Sequence, residues 1–314
     1  MSGTGQILKI PTRTLTRMRV FVTGSSACLA RALLPRLCAA SAIDSVTGYD
    51  IAPPNFVHPK FRALRGNVLD AGIADAVRDH DALIHLAFVV VRGRMSPQAM
   101  FDTNVTGSMR VFHAARAAGA GRLIHLSSAA VYGSGIHLAE DAPCRPLAGF
   151  LYGEHNALLE KMLAIEFPGC VRLRPHIILG PHAQPMLKAL LRRPFYLRLP
   201  WPHPLLQCIH ENDVASAVLL CLSRNVRGAF NLAVEEAATY RELIRRRHRL
   251  AIPLPLTAAR AGWNLASMLY GWGGDSAWLT GLAHPLTLNC RRALVELGWQ
   301  RDYDLTAVLD AKSA

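Results

Sequence analysis

Short apolar runs alternate with stretches of helical periodicity over the first half of the chain. Arg19-Val20-Phe21-Val22-Thr23 ends in Gly24 and predicts a buried strand. Further strands are predicted over 46–50, 61–67, 82–87, 122–128 and 170–173, with helices over 28–40, 71–79, 98–118 and 152–167. Strands that are near-continuous apolar runs, each followed by a helix, predict a parallel sheet covered on both faces: an α/β, Rossmann-type, doubly wound fold. From Pro175 onward the chain carries ten of its nineteen prolines and all five tryptophans, and its periodicity loosens. Three parts are therefore expected: a flexible leader over 1–17, a dinucleotide-binding domain over 18–174, and a substrate lobe over 175–314. Part of that last stretch, about 205–235 and in particular Gly228–Leu232, is expected to return to the sheet.

Composition narrows the class. With 314 residues and 51% hydrophobic content, the chain is long enough for a sizeable core and too apolar for disorder. No stretch approaches the roughly 18 apolar residues of a membrane span. The seven cysteines are odd in number and scattered without a C-x-x-C pair, which points to free thiols in a reducing compartment and to a cytoplasmic location. No metal site is expected. Residues 1–17 lack the apolar region of a secretory signal. The formal charge of +13 comes from 30 arginines and five lysines, mostly dispersed. The clusters Arg192/Arg193/Arg198 and Arg245–Arg249 lack interleaved stacking aromatics, so no nucleic-acid partner is expected.

The chemistry begins at the first predicted turn. Thr23-Gly24-Ser25-Ser26-Ala27-Cys28-Leu29-Ala30 joins a strand to a helix, where backbone N–H groups and a helix N-terminus can hold a pyrophosphate. Asp50 lies 26 residues beyond Gly24, at the end of the second strand. A carboxylate there accepts hydrogen bonds from both ribose hydroxyls of an adenosine and repels a 2′-phosphate, favouring NAD over NADP. Ala30 fits the pattern, whereas Ala27 puts a methyl where backbone should approach phosphate.

Beyond this turn, residues 18–310 resemble the extended short-chain dehydrogenase/reductase superfamily, in its NAD-dependent epimerase/dehydratase group. The family's T-G-x-x-G-x-x-G is similar to Thr23–Ala30, its D-[LV] to Asn67-Val68, and its H-L-A-A to His85-Leu86-Ala87-Phe88. N-V-x-G-T resembles Asn104–Ser108, and S-S-x-x-V-Y-G is matched in full by Ser127–Gly133. R-P, four residues and G-P correspond to Arg174–Pro181, H-V-x-D-V-A resembles His210–Ala215, and L-G-W matches Leu297–Trp299. The resemblance implies cofactor contacts from Gly24, Ser25, Ser26, Ala27, Cys28, Leu29, Asp50, Asn67, Val68, Leu86, Ala87, Asn104, Tyr152 and Asn156. It implies that Ser128 holds a substrate oxygen and Tyr152 moves its proton. Helix pairing into a homodimer follows by the same analogy.

The resemblance breaks at one residue. The family's Y-x-x-x-K is Tyr152-Gly153-Glu154-His155-Asn156 here, so asparagine replaces the lysine. Tyr152 and Asn156, spaced i, i+4, share a helix face. Asparagine can hydrogen-bond a ribose but cannot lower the tyrosine pKa by charge. A free tyrosine, with a pKa of about 10, is about one-thousandth ionised at pH 7, so proton transfer should slow. Lys161 faces nearly the opposite side of that helix, and Lys188 lies in the other lobe. His155 and His176 are open either as proton relays or as structurally bonded histidines. The R-x-x-N-x-Y-G-P stretch with which nucleotide-sugar members hold a diphosphate reads Arg174-Pro175-His176-Ile177-Ile178-Leu179-Gly180-Pro181 here, without the asparagine and the tyrosine, which argues against a nucleotide sugar as the small-molecule substrate. The apolar stretch from Ala251 to Leu288, with Trp263, Tyr270, Trp272 and Trp278, suits lobe packing, a pocket for an apolar alcohol or ketone, or peripheral membrane contact. Two functions remain open: NAD-dependent hydride transfer at a carbinol or ketone carbon, and a catalytically weak NAD-binding sensor or scaffold.

Overall fold

The computed structural model describes residues 17–199, 203–248, 250–270 and 277–310, apart from the side chains of 264, 266–270 and 277. Most of the leader, Trp272 and the side chain of Tyr270 lie outside that description. Seven parallel strands form the central sheet: β1 (Met18–Thr23), β2 (Ile43–Asp50), β3 (Phe61–Arg65), β4 (Ala82–His85), β5 (Arg122–Leu126), β6 (Val171–Pro175) and β7 (Gly228–Leu232). Their order across the sheet is 7-6-5-4-1-2-3. Val20, Phe21 and Val22 in central β1 are wholly buried, as a strand covered on both faces must be. The order reverses direction at β1, and ligands of such sheets bind at the carboxyl ends beside that switch.

Helices close both faces. α1 (Cys28–Ala39), α2 (Ser108–Ala117), α3 (Leu151–Glu166) and α4 (Glu211–Ser223) are the long ones beside the sheet. Leu29, Leu33 and Leu37 of α1 share one buried cluster with Val214, Val218 and Cys221 of α4. On the other face Phe21 and Leu83 pack with Val111 and Phe112 of α2 and Leu159 and Leu163 of α3. The last motif block locks onto this layer: Trp299 Nε1 donates to the Asp213 carbonyl at 2.9 Å, and the Asp302 N–H donates to Asp213 Oδ1 at 3.0 Å.

Three elements differ from the periodicity. β2 starts at Ile43, because polar Asp44 and Ser45 interrupt an otherwise apolar strand. The helix expected over 71–79 shrinks to Ile73–Ala76, with Gly72 before it and Asp79 in the left-handed region (φ 65°) after it. The helix expected over 98–118 is helical from Pro97 to Ala117 but contains a π-turn at Asp102–Gly107. Such wide turns insert a residue and redirect side chains inward, here Asn104.

A second core builds the lobe. Leu179, Leu197, Leu206, Tyr240, Ile244 and Leu305 cluster away from the main sheet. Phe195–Arg198 pairs with Ile252–Pro255, and Gly135–Leu138 pairs with Leu286–Leu288, tying the lobe back to the loop after β5. All seven cysteines are free thiols. Among the described residues, no helix is long and apolar enough to cross a membrane, and no group of side chains could hold a metal ion.

Candidate functional site

The turn after β1 is held by backbone. Gly24 has φ +71° and donates to the Tyr49 carbonyl at 2.9 Å. A Cβ there would stand 2.5 Å from the Ala87 nitrogen, so glycine is required by the close approach of the chain leaving β4. The Ser26 N–H donates to Asp50 Oδ2 at 2.9 Å, fixing the carboxylate beside the turn and leaving lone pairs free. Ala27 caps α1 in extended conformation without a side-chain hydrogen bond. The N–H groups of Cys28 and Leu29 thus have no side-chain acceptor, and the positive end of a 12-residue helix is exposed to an anion. The Ser25 hydroxyl beneath is buried without a partner.

A cavity of about 210 Å³ starts at Ala27, Cys28 and Leu29, passes Leu86, and reaches Ser128 and Tyr152. Ser128 sits just past β5, capping the short 3₁₀ turn Ala129–Tyr132 and accepting from the Ala130 N–H at 3.2 Å. Tyr152 opens α3. Burial pushes its pKa above the ordinary value, while the Ser128 hydroxyl and the Asn156 side chain pull the other way and only partly compensate. No charged group acts on the phenol among the described residues. Aromatic rings surround it: Phe88 at 5.7 Å, Phe150 at 5.9 Å and Trp278 at 5.3 Å between centroids.

Asn156 lies directly below. It is wholly buried, and its Nδ2 donates at 2.8 Å to the carbonyl of Tyr152, within its own helix. Its Oδ1 is buried without a hydrogen-bond partner. Beside it is the ring of His125, also wholly buried, with neither nitrogen closing a hydrogen bond. Burial and the Arg172 charge depress the His125 pKa to about 3, so the ring is neutral.

One turn further along α3, Glu160 is buried at the centre of a closed network. It accepts from Ser127 Oγ at 2.5 Å and from Arg174 through Nε at 2.9 Å and Nη2 at 2.5 Å. Arg174 Nη1 also donates to the Tyr132 hydroxyl at 2.6 Å, which in turn donates to Asn231 Oδ1 at 2.8 Å. Thus the serine block, the Val-Tyr-Gly turn, Glu160 and the Arg-Pro motif form one polar unit joining β5, β6, β7 and α3.

Of the predicted cofactor and catalytic residues, Ala27, Cys28, Leu29, Leu86, Ser128 and Tyr152 meet in the cavity wall. Gly24, Ser25, Ser26, Asp50, Ala87 and Asn156 are not among its lining residues. Asn67 and Val68 are not in the wall. Asn67 Oδ1 accepts from the Leu69 N–H at 3.0 Å, and Val68 is buried against Gly107. Asn104 does not reach the wall either. Its amide holds both the N–H (2.6 Å) and the carbonyl (3.0 Å) of Val89, with His155 Nδ1 at 3.4 Å, so it braces the loop after β4.

Both histidines left open above are structurally bonded. His176 Nδ1 accepts from the Ile177 N–H at 2.8 Å and its Nε2 donates to the Leu286 carbonyl at 2.9 Å, while His155 faces Asn104 and the edge of Phe101. Lys161 is solvent-exposed, and Lys188 donates to the Pro181 carbonyl. Sequence reasoning passed over Glu211, which lines the cavity and whose pKa burial lifts to about 6. The signal was its place in His210–Ala215, where the resembled pattern has valine.

A family model described as NAD dependent epimerase/dehydratase family matches residues 20–233. No curated protein sequence matches the chain. Among solved structures, MoeE5 in complex with UDP-glucuronic acid and NAD is similar at 21% identity and TM-score 0.73, covering 94% of this chain and 97% of that one. The Bordetella bronchiseptica enzyme WbmG in complex with NAD is similar at 19% identity and TM-score 0.75, covering 96% and 94%. The UDP-glucuronic acid 4-epimerase from Bacillus cereus in complex with NAD follows at 18% identity and TM-score 0.73, covering 94% and 97%. At these identities the likeness is one of fold.

Proposed function

Because the chain belongs to the NAD dependent epimerase/dehydratase family, we propose that it is a slow oxidoreductase. It would move a hydride between NAD and a carbinol or ketone carbon of a small molecule. The observation that carries this reading is a single cavity with the uncapped start of α1 at one end and Ser128 with Tyr152 at the other. NAD, when bound, supplies the hydride acceptor or donor. The Cys28 and Leu29 N–H groups would hold its pyrophosphate, and Asp50 the ribose hydroxyls of its adenosine. Asn156, whose amide acts on Tyr152 and His125, would reach the nicotinamide ribose from beneath Tyr152.

Ser128 orients the substrate oxygen and Tyr152 exchanges its proton. With no cation beside it and burial raising its pKa, Tyr152 stays protonated at neutral pH. It therefore serves more readily as a proton donor to a ketone than as a base toward an alcohol.

The test measures NAD and NADH binding by calorimetry and turnover by nicotinamide absorbance, in wild type and Tyr152→Phe. Dinucleotide binding in both, with turnover only in wild type, is the expected result; a protein that binds neither dinucleotide contradicts it. One observation favours a second reading, an NAD-binding sensor: position 156 has no charge. Tight binding with no turnover on any alcohol or ketone, even in Asn156→Lys, would select it.

A further inference from the structure

Away from α1, the cavity runs into the C-terminal lobe, where its chemistry is one-sided. Phe88, Phe150, Met186, Leu187, Trp263 and Trp278 wall it, and none of the described residues lining it is a lysine or an arginine. Its histidines add no positive charge at neutral pH. Both nitrogens of His176 are bonded and burial takes its pKa down to about 4. His182 is held below its ordinary value by burial and by the Arg31 and Lys188 charges. Glu211, the acidic group in the wall, stands at the α1 end, where its charge acts on Cys28. A diphosphate stripped of water beside Phe88, Phe150 and Trp278 would meet apolar rings, with no lysine or arginine among the described lining residues to repay its desolvation.

Resting on the hydride-transfer reading above, we infer that the substrate is a neutral, mainly apolar secondary alcohol or its ketone that carries a ring. Its oxygen lies between Ser128 and Tyr152, and its ring packs among Phe88, Phe150 and Trp278, which already surround the tyrosine. In the reducing direction the carbonyl carbon receives a hydride from NADH and its oxygen takes the Tyr152 proton. C=O becomes CH–OH, NADH becomes NAD, and solvent reprotonates the phenolate.

The test titrates the full chain with α-tetralone, UDP-glucose and UDP by calorimetry in the presence of NAD, and follows NADH oxidation separately. α-Tetralone is expected to bind at least tenfold more tightly than either uridine compound. Leu187→Arg, which puts a cation in the wall, is expected to weaken α-tetralone at least tenfold and to strengthen UDP-glucose. UDP-glucose binding as tightly as α-tetralone, or α-tetralone failing to bind, overturns the inference. α-Tetralone binding without NADH oxidation keeps the ligand class and instead sinks the hydride-transfer reading.

Discussion

Residues 156 and 160 stand one turn apart on the same face of α3, both buried, and their surroundings are opposites. Around Glu160 the acceptors are met: Ser127 and Arg174 close on the carboxylate, and Tyr132 and Asn231 complete the set. Around Asn156 they are met only loosely: its Oδ1 and both nitrogens of His125 close no hydrogen bond of full geometry, although the amide acts on the ring. A satisfied buried network holds a fold together, and an unsatisfied one is where a ligand or an unexplained strain is to be sought. The helix thus carries an architectural end and a chemical end, and only the architectural end retains its charge.

The largest effect should come from breaking the satisfied end. Glu160→Gln leaves the Arg174 guanidinium buried without a counter-charge, and removing one partner of such a pair costs about 3–5 kcal/mol. Chemical denaturation should show that loss; a change under about 1 kcal/mol would mean that the network is not what joins β5, β6 and α3.

Restoring charge at the other end should affect chemistry instead. Asn156→Lys is expected to bring the Tyr152 pKa down and raise turnover about tenfold per unit regained. It should also lower stability, because the ammonium enters a wholly buried site beside His125, on which the Arg172 charge already acts. Turnover measured against pH shows the sign. Alcohol oxidation by the wild type should climb with pH through and beyond about 10, the ordinary tyrosine pKa, and the variant's rise should begin lower.

Glu211 tests the cavity from beside the start of α1, where its charge acts on Cys28. Its raised pKa of about 6 means it is neutral below that pH and anionic above it. NAD affinity should therefore weaken as pH rises through about 6, by severalfold, and Glu211→Val should flatten the dependence. The smallest effect is expected from Asn156→Leu. The Asn156 amide donates within its own helix and acts on Tyr152 and His125 without closing a full hydrogen bond, so stability should move by less than about 1 kcal/mol, while NAD binding weakens if Oδ1 meets the ribose.

The parallel sheet was legible because its strands are dense apolar runs: Val20-Phe21-Val22 and Ala82–His85 leave no other reading. The Ser127–Gly133 and Arg174-Pro175 blocks were legible as motifs, but their union with Glu160 and Asn231 was not, since it joins residues up to 99 positions apart in sequence. The π-turn at Asp102–Gly107 escaped because it preserves helical periodicity on either side and changes only the direction of Asn104. The aromatic wall around Tyr152 was hidden because Phe88, Phe150 and Trp278 come from three distant segments, and no periodicity connects them.

The central claim concerns one hydroxyl, and titrating it is the most direct test. Tyrosine ring carbons labelled with ¹³C, assigned through Tyr152→Phe, report the ionisation of that phenol alone. The account expects no ionisation of Tyr152 below pH 10 in the wild type and a downward shift in Asn156→Lys. A wild-type Tyr152 that ionises near pH 7 would contradict it and reveal a cation that does the work of the missing lysine.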